Sequence, residues 1–368
     1  MRKERAHERR AAQGFRNSAK VRALQDSLVA WYGENKRDLP WRKTSDPYAI
    51  WVSEVMLQQT RVETVMPYYA RFLRSYPTVH ALAEAALDDV LARWSGLGYY
   101  RRARMLHAGA QHVSRALGGA FPDEVAGLRA IPGIGPYTAG AVASIAFGRR
   151  AALVDGNVTR VLARLFAIED DLRGGSGIRL AWRLAEEIAH DREPGTWNQA
   201  LMELGATVCL PREPRCPMCP VRGSCDARAR GIQRDLPKLR PKAKPLPEAR
   251  VALVGTIRGG VLLARRHADG RFGGMWEPPS ALGHDPRVLP KIAGVRISHA
   301  EEVGHVKHVL SHRRLDVKVV RARLLREPSG DTAARGDYDR LAMVSSDDLG
   351  ERALTTLARK ILATAKLG

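Results

Sequence analysis

The sequence predicts a multidomain protein in which an all-α body precedes a smaller α+β domain. With 368 residues, the chain exceeds the roughly 250 to 300 residues at which single hydrophobic cores stop growing, so two or three domains are expected. Apolar residues recur at helical spacing through about residues 21–230. From residue 249 onward, strand-like apolar runs replace that spacing. These three observations set the fold class.

Two segments illustrate the helical spacing. The run "ALDDVLARWSGLG" places Leu87, Val90, Leu91 and Trp94 three and four residues apart, and "NVTRVLARLFAI" repeats the pattern. The connections between such segments are short and contain glycine, proline or aspartate. The sequence contains no repeat with a period of 20 to 50 residues, which would indicate a solenoid. Many short helices are therefore expected.

A basic, proline-rich connector follows the helical body. The stretch "RARGIQRDLPKLRPKAKPLPE" holds four prolines and little that could form a core, and it predicts a stiff linker over residues 231–248. Beyond it, "VALVGTIRGGVLLARR" predicts a β-hairpin around Gly259-Gly260, and "LDVKVVRARLL" predicts another strand. The final "DDLGERALTTLARKILATA" returns to helical spacing.

The charge balance indicates a polyanionic partner. The formal net charge is +21 and the isoelectric point is about 10.4, which makes nucleic acid the first candidate. Arginine-rich composition without a functional meaning is the alternative. Residues 1–20 predict a basic, flexible arm. They contain no apolar stretch that would serve as a secretory signal or a membrane span.

The cysteines predict a metal site. All four lie within 17 residues, at Cys209, Cys216, Cys219 and Cys225, and such clustering favours a metal centre in a reducing compartment over a disulfide framework. Four thiolates suit Zn²⁺ and a [4Fe–4S] cluster alike. Spacing alone does not decide between them.

The stretch "IPGIGPYTAG", residues 131–140, interrupts two helices with a glycine-bracketed turn. Gly133 and Gly135 permit positive φ and a close approach of the backbone to a ligand. The helix that follows offers unpaired N–H groups and the positive end of its dipole, which can bind a phosphate oxygen without reading a base. An ordinary corner between helices is the alternative.

Two carboxylates in the helical body are candidates for catalysis. Glu54 has mostly apolar neighbours three and four residues away, so we expect burial to raise its pKa and to keep it protonated near neutral pH. Asp155 directly precedes a helix, where backbone N–H groups should keep it ionised. The alternatives are a solvent-facing glutamate and a plain N-cap.

Several motifs together resemble a known family. "IPGIGPYTAG", "VDGNVTR" and the cysteine spacing are similar to helix-hairpin-helix DNA glycosylases with an iron–sulfur loop, and "WVSEVMLQQTRV" and "GLGYYRRAR" resemble adenine DNA glycosylases of the MutY family. The likeness is dense over residues 38–225. It favours a [4Fe–4S] cluster. It also implies a six-helix module over about 39–148, a cluster module over 21–38 plus 149–230, and a Nudix-like domain over 249–368.

The resemblance assigns roles to the two carboxylates. It implies that Glu54 protonates N7 of adenine and that Asp155 stabilises the cationic sugar. Opposite protonation states are what acid-assisted glycosidic cleavage requires. Tyr137 stands where bifunctional relatives carry a Schiff-base lysine, so the enzyme should remove the base without cutting the strand. Tyr137 and Asn157 are expected to support the pair by hydrogen bonding.

The resemblance also implies contacts to DNA around an extruded base. The residues expected to contact DNA in the helical body are Gln59, Thr60, Leu97, Tyr99, Gly133 and Gly135, with Gln59 and Tyr99 as wedges. Trp41, Arg42 and Glu203 are expected to form the adenine pocket. In the second domain, Ser311 and His312 match the loop that reads 8-oxoguanine. Leu310 departs from the family, because an aromatic residue is common there.

The sequence thus predicts a monofunctional glycosylase that excises adenine opposite 8-oxoguanine or guanine in double-stranded DNA. A monomer in the bacterial cytoplasm, associated with the nucleoid and not with a membrane, is expected. The alternatives are a thymine or uracil mismatch glycosylase, a non-catalytic DNA-binding protein and a Nudix hydrolase. The last needs a carboxylate-rich metal helix, and no such run lies between Glu277 and Glu302.

Overall fold

A computed structural model of the chain describes residues 18–172, 174–238, 244–328 and 336–367. The predicted flexible arm lies outside the described residues except at its last three positions, and residues 239–243 of the predicted linker also lie outside them. Within the described part, contacts group residues up to 59 with 112–241, and residues 60–111 with those from 242 onward. The predicted six-helix module has residues in both units.

The helical region agrees with the predicted fold class. Its helices are α1 (Ser18–Asn35), α2 (Pro47–Leu57), α3 (Val62–Ser75), α4 (Val79–Glu84), α5 (Leu87–Trp94), α6 (Arg101–Ala116), α7 (Val125–Ala130), α8 (Pro136–Phe147), α9 (Gly156–Leu165), α10 (Gly175–Glu187), α11 (Pro194–Thr207) and α12 (Asp226–Ala229). Short 3₁₀ turns occur at Pro40–Arg42, Cys216–Met218 and Arg222–Ser224.

The core of the first unit buries the apolar face that the sequence predicts on α9. Val158, Val161 and Leu162 are fully or almost fully buried there and pack with residues of α1, α10 and α11. Trp197 of α11 belongs to the same core. Burial of these side chains fixes α9, and with it the residue that begins α9, against the rest of the unit.

The second unit contains a seven-stranded mixed sheet. Its strands are β1 (Leu246–Ile257), β2 (Gly260–Arg266), β3 (Trp276–Glu277), β4 (Ser280–Leu282), β5 (Ile297–Val309), β6 (Arg313–Leu324) and β7 (Tyr338–Ser345). The order along the sheet is β3-β2-β1-β6-β5, with β4 beside β1 and β7 beside β2. Only β1 and β6 among these pairs run parallel.

The predicted hairpin lies one residue earlier than its glycine pair suggests. Ile257 pairs with Gly260, so the two loop residues are Arg258 and Gly259. Both have positive φ, 48° and 79°, as a two-residue hairpin loop of the type that matches strand twist requires. Gly260 is already the first residue of β2.

Two short helices accompany the sheet, α13 (Leu289–Ala293) and α14 (Thr356–Thr364). The sequence of α13 is LPKIA, without any carboxylate. The acidic helix that a Nudix hydrolase needs is therefore missing between Glu277 and Glu302, a stretch that is fully described. Among the described helices, none combines the length and the apolar character needed to cross a membrane.

Candidate active site

Glu54 is buried on α2 and hydrogen-bonded to the helix that follows the glycine-rich turn. Only 4% of Glu54 is exposed, and the Tyr137 hydroxyl donates to its Oε2 atom over 2.5 Å. The Tyr137 oxygen also lies 3.2 Å from the Met202 sulfur. Helix α2 is fixed at its start by Pro47 and by Asp46, whose side chain accepts from two backbone N–H groups.

Asp155 is the N-cap of α9, as the sequence predicts. Its Oδ1 accepts from the backbone N–H of Val158 over 2.7 Å, and its Oδ2 accepts from the Asn157 side chain over 3.2 Å. Asn157 is held in turn, because its Oδ1 accepts from Arg160 over 2.9 Å. The aspartate is therefore oriented by two donors of its own helix.

Close packing between backbones brings the two carboxylates into one region. Gly140 of α8 lies against the carbonyl of Ala152, so that a Cβ at this position would overlap that carbonyl. Gly205 of α11 is also close to Asn157, since an added Cβ would lie 2.7 Å from the Asn157 Cβ. Because Gly140 has no side chain, the chain leading to Asp155 runs directly beside the helix that carries Tyr137.

The protonation of Glu54 agrees with the expectation. The pKa of Glu54 is raised to about 7: burial is the largest cause and nearby Asp155 contributes to the rise, whereas the Tyr137 hydrogen bond and Arg42 oppose it. A carboxyl with this pKa is protonated in a large fraction of molecules at neutral pH. Because the charge of Asp155 raises the pKa of Glu54, the two carboxyl groups are close enough to interact electrostatically.

The pKa of Asp155 shifts in the direction that the sequence does not predict. Burial raises this pKa, and the hydrogen bonds from the backbone at Val158 and Asn157 oppose the rise without cancelling it. The sequence suggests the opposite because a helix N-terminus on an exposed surface favours the charge. Here desolvation is the larger effect.

The glycine-rich turn has the predicted helix-hairpin-helix form. It joins α7 to α8, and Gly133 has a φ of 83°. Gly135, in contrast, has an extended φ of −86° and caps α8 without any side-chain bond. Gly133 thus uses the positive φ that glycine permits, whereas Gly135 does not and instead leaves open space, with no atom within 4 Å of the position that a Cβ would take.

The three residues expected in the adenine pocket differ in their burial and in their hydrogen bonds within the protein. Trp41 is buried, and Arg42 donates to Glu203 over 2.6 Å. Glu203 is fully buried and also accepts from the Arg37 backbone and side chain. Burial opposes ionisation, but the hydrogen bonds from Arg37 and Arg42 outweigh it and lower the pKa of Glu203 to about 2. This glutamate is a permanent anion that holds two arginines.

The two wedge candidates share an unusual backbone conformation. Gln59, at the end of the turn after α2, has a φ of 58°, and Tyr99 has a φ of 49°. Both side chains are exposed, Tyr99 by 48%. A non-glycine residue at positive φ costs free energy and occurs preferentially at functional sites. Leu97, also expected to contact DNA, is buried instead.

Arg102 organises the turn that carries Tyr99, and sequence reasoning missed it. Its guanidinium donates to the carbonyls of Leu97 and Gly98 and to the Thr60 hydroxyl. It also lies over the Tyr99 ring, 5.6 Å from the centroid. Its place in the run "YYRRAR" beside other arginines gave no signal that would single it out.

The four cysteines converge. All four line one cavity together with Arg164, and no disulfide joins them. Arg164 is almost fully buried, donates to the Cys209 sulfur over 3.3 Å and also binds the carbonyls of Leu210 and Pro211. Burial raises the pKa of Cys219 to about 12. Sequence reasoning did not single out Arg164.

The predicted 8-oxoguanine loop forms the tip of the β5–β6 hairpin. Leu310 donates its backbone N–H to the Arg313 carbonyl over 2.7 Å, and Ser311 and His312 are exposed in the turn between them. Val309, the last residue of β5, is also exposed. The hairpin thus presents both polar residues to solvent.

Comparisons with known proteins agree with this geometry. Residues 52–180 match the model of the HhH-GPD superfamily of base excision DNA repair proteins, and residues 250–364 match the NUDIX domain model. Human adenine DNA glycosylase is 37% identical over 369 residues, which cover 83% of this chain and 68% of the human protein. The rat enzyme of the same name is 35% identical over 409 residues, covering 94% and 78%.

A solved structure supports the helical fold. The structure of a thermostable thymine-DNA glycosylase aligns with a TM-score of 0.52 and 29% identity, over 58% of this chain and 98% of that chain. The match to the thymine-DNA glycosylase covers only part of this chain, whereas the human and rat enzymes match most of it. The chain belongs to the adenine DNA glycosylase family of helix-hairpin-helix base excision repair proteins.

Proposed function

We propose that this protein is a monofunctional glycosylase that hydrolyses the N-glycosidic bond of adenine opposite 8-oxoguanine or guanine in double-stranded DNA. The observation that carries the proposal is the pair formed by Glu54, whose pKa is raised to about 7, and Asp155, which lies within its electrostatic reach. Glu54 gives its proton to N7 of the extruded adenine, and the base becomes a better leaving group. Asp155 stabilises the positive charge on the sugar.

Tyr137 supports the acid and does not attack the sugar. Its hydroxyl donates to Glu54, which fixes the orientation of the carboxyl. Its pKa is raised well above 10 by burial and by the two nearby carboxylates, so the phenol remains a donor. A phenol cannot form the imine by which a lysine cuts the strand. The reaction therefore ends at the abasic site.

Base release from matched duplexes tests this function. Under single turnover, duplexes that differ only in the base opposite adenine should release adenine when that base is 8-oxoguanine or guanine and not when it is thymine. Strand cleavage should appear only after alkali. A duplex with thymine opposite guanine tests the alternative suggested by the thymine-DNA glycosylase similarity. Thymine release without adenine release would refute the proposal.

We also propose that the hairpin turn and the wedge residues hold DNA. The uncapped start of α8 and the open space at Gly135 suit a phosphate oxygen on backbone N–H groups. The exposed Gln59 and Tyr99 are suited to fill the gap that the extruded base leaves. At the tip of the β5–β6 hairpin, Ser311 and His312 would contact 8-oxoguanine. Leu310 offers no ring for stacking on that base.

We propose that Cys209, Cys216, Cys219 and Cys225 hold a [4Fe–4S] cluster. Four thiols that converge on one cavity without disulfides fit four-cysteine ligation of such a cluster. When bound, the cluster would hold the loop in a fixed conformation and would take no part in the reaction. The chain's own part is to position the loop whose Arg212, Arg215 and Arg222 are exposed, where they can neutralise phosphates.

Replacing Cys219 by serine should remove the cluster. We expect the wild-type chain to contain about four irons and to absorb broadly in the visible range, and Cys219→Ser to lose both. Met218→Ala is the matched control, because Met218 adjoins Cys219 in the same loop but is 68% exposed. Metal analysis and the absorption spectrum give the answer. One zinc and no iron in the wild type would contradict the cluster assignment.

A further inference from the structure

The second unit contains a cluster of metal-ligating side chains that base excision does not use. One ligand atom each from His284, His305 and Asp316 lies within 4.8 Å of the other two. The cluster is made of two imidazoles and one carboxylate, a set that suits first-row divalent ions. It is far along the sequence from the four cysteines.

The sheet brings these residues together by its register. His305 of β5 pairs with Lys318 of β6, and Lys307 pairs with Asp316. His305 and Asp316 are therefore diagonal neighbours on one face of the hairpin. His284 follows β4, which pairs with β1, and β1 in turn pairs with β6 at Ala249 and Asp316. Three separate segments thus contribute one residue each.

The hydrogen bonds around the cluster resemble the outer shell of a metal centre. His305 Nδ1 lies 3.0 Å from Asp316 Oδ1, and its Nε2 lies 3.2 Å from Glu302 Oε1. Glu302 can accept a hydrogen bond from Nε2–H, which leaves the Nδ1 lone pair available to a metal that Asp316 also binds. A ligating histidine almost always donates its second nitrogen in this way. His284 Nε2 lies 3.2 Å from the Asp316 carbonyl oxygen, which can orient that ring as well.

We propose that His284, His305 and Asp316 bind one Zn²⁺ ion, with Glu302 as the residue that positions His305. Zinc accepts imidazole nitrogen and carboxylate oxygen at about 2.0 to 2.2 Å in tetrahedral geometry, which needs ligand atoms about 3.4 Å apart. His305 Nδ1 and Asp316 Oδ1, 3.0 Å apart, are close to this spacing and need to separate only slightly. His284 reaches it by side-chain rotation, which the partly exposed site permits. The fourth position is left to water.

Two lysines bring positive charge next to the carboxylates of the site. Lys318 lies 3.0 Å from Glu302, and Lys307 stands opposite Asp316. A ligating imidazole must be neutral, so zinc would bind the unprotonated Nδ1 atom of His305. The ion would then tie the turn after β4 to the β5–β6 hairpin.

Zinc binding to the full-length, cluster-loaded chain tests the proposal. Zn²⁺ is titrated in competition with a chromogenic chelator. We expect the wild type to bind one equivalent more than His305→Ala, and Glu302→Gln to bind it about 10- to 100-fold more weakly. His299→Ala is the matched control, an exposed histidine of the same strand, and should bind as the wild type does. Equal zinc binding by wild type and His305→Ala would overturn the proposal.

Three further tests keep the result independent of misfolding and of the cysteines. Asp316→Asn preserves shape but removes the anionic ligand, so it should also lose the additional equivalent. In a difference spectrum against the cobalt-free, cluster-loaded chain, Co²⁺ bound in place of Zn²⁺ should add visible d–d bands and no new thiolate-to-cobalt charge transfer, because its ligands are nitrogen and oxygen. Zinc should slow amide exchange over residues 305–316 in the wild type alone. New thiolate-to-cobalt bands in the difference spectrum, or unchanged exchange, would contradict the site.

Discussion

Replacing Glu54 by glutamine is expected to slow adenine release by about 10²- to 10⁴-fold, the range that a general acid contributes. Glutamine can still accept the Tyr137 hydrogen bond, so the local structure should persist, but an amide carries no proton for the base. The measurement is the single-turnover rate of adenine release from a duplex with adenine opposite 8-oxoguanine. DNA affinity, measured in parallel, should be almost unchanged.

The control for this variant is the same substitution at an exposed position of the same unit. Glu187 is the last residue of α10 and is exposed, so Glu187→Gln should release adenine at the wild-type rate. A Glu54→Gln enzyme that retains both affinity and rate would show that Glu54 is not the acid. It would also favour the view that the buried carboxyl has only a structural part.

Replacing Asp155 by asparagine is expected to slow adenine release by about 10²- to 10³-fold, as loss of one electrostatic contact to the transition state does. Asparagine is as good an N-cap as aspartate, so the stability of α9 should be kept. Asp155→Ala removes the cap as well and should lower the free energy of unfolding by about 1 kcal/mol. Release rates and denaturant unfolding of both variants separate charge from capping.

A second N-cap provides the matched control for Asp155. Asp46 caps α2 through two backbone N–H groups and is exposed. Asp46→Asn therefore makes the same chemical change at the same kind of position without removing charge from the buried pair. It should leave the rate of adenine release unchanged. If Asp155→Asn also left it unchanged, the charge of Asp155 would have no part in catalysis.

Sequence reasoning predicted the features that depend on local pattern. The apolar neighbours of Glu54 foretold its burial, since residues three and four apart share one helix face. The Asp155-Gly-Asn sequence foretold an N-cap, and four cysteines within 17 residues foretold their convergence. In each case the chemistry is set by residues that are close along the chain.

Features that depend on distant segments could not be predicted in this way. One of the two arginine partners of Glu203 is Arg37, which is 166 positions away along the chain. The raised pKa of Asp155 comes from burial by other helices, which a local N-cap argument omits. His284, His305 and Asp316 meet only through the strand register. The left-handed backbone that glycine permits occurs at Gly133 and not at Gly135, where the missing side chain leaves open space.

The central claim is that Glu54 holds the proton that adenine receives, and the pH dependence of single-turnover adenine release tests it most directly. Because burial raises the pKa of Glu54 to about 7, the rate should fall as pH rises through about 7. Tyr137→Phe should move this fall to higher pH, since the lost hydrogen bond had lowered that pKa. Glu54→Gln should lack the fall entirely. A wild-type rate that does not change through neutral pH, or the same fall in Glu54→Gln, would contradict the account.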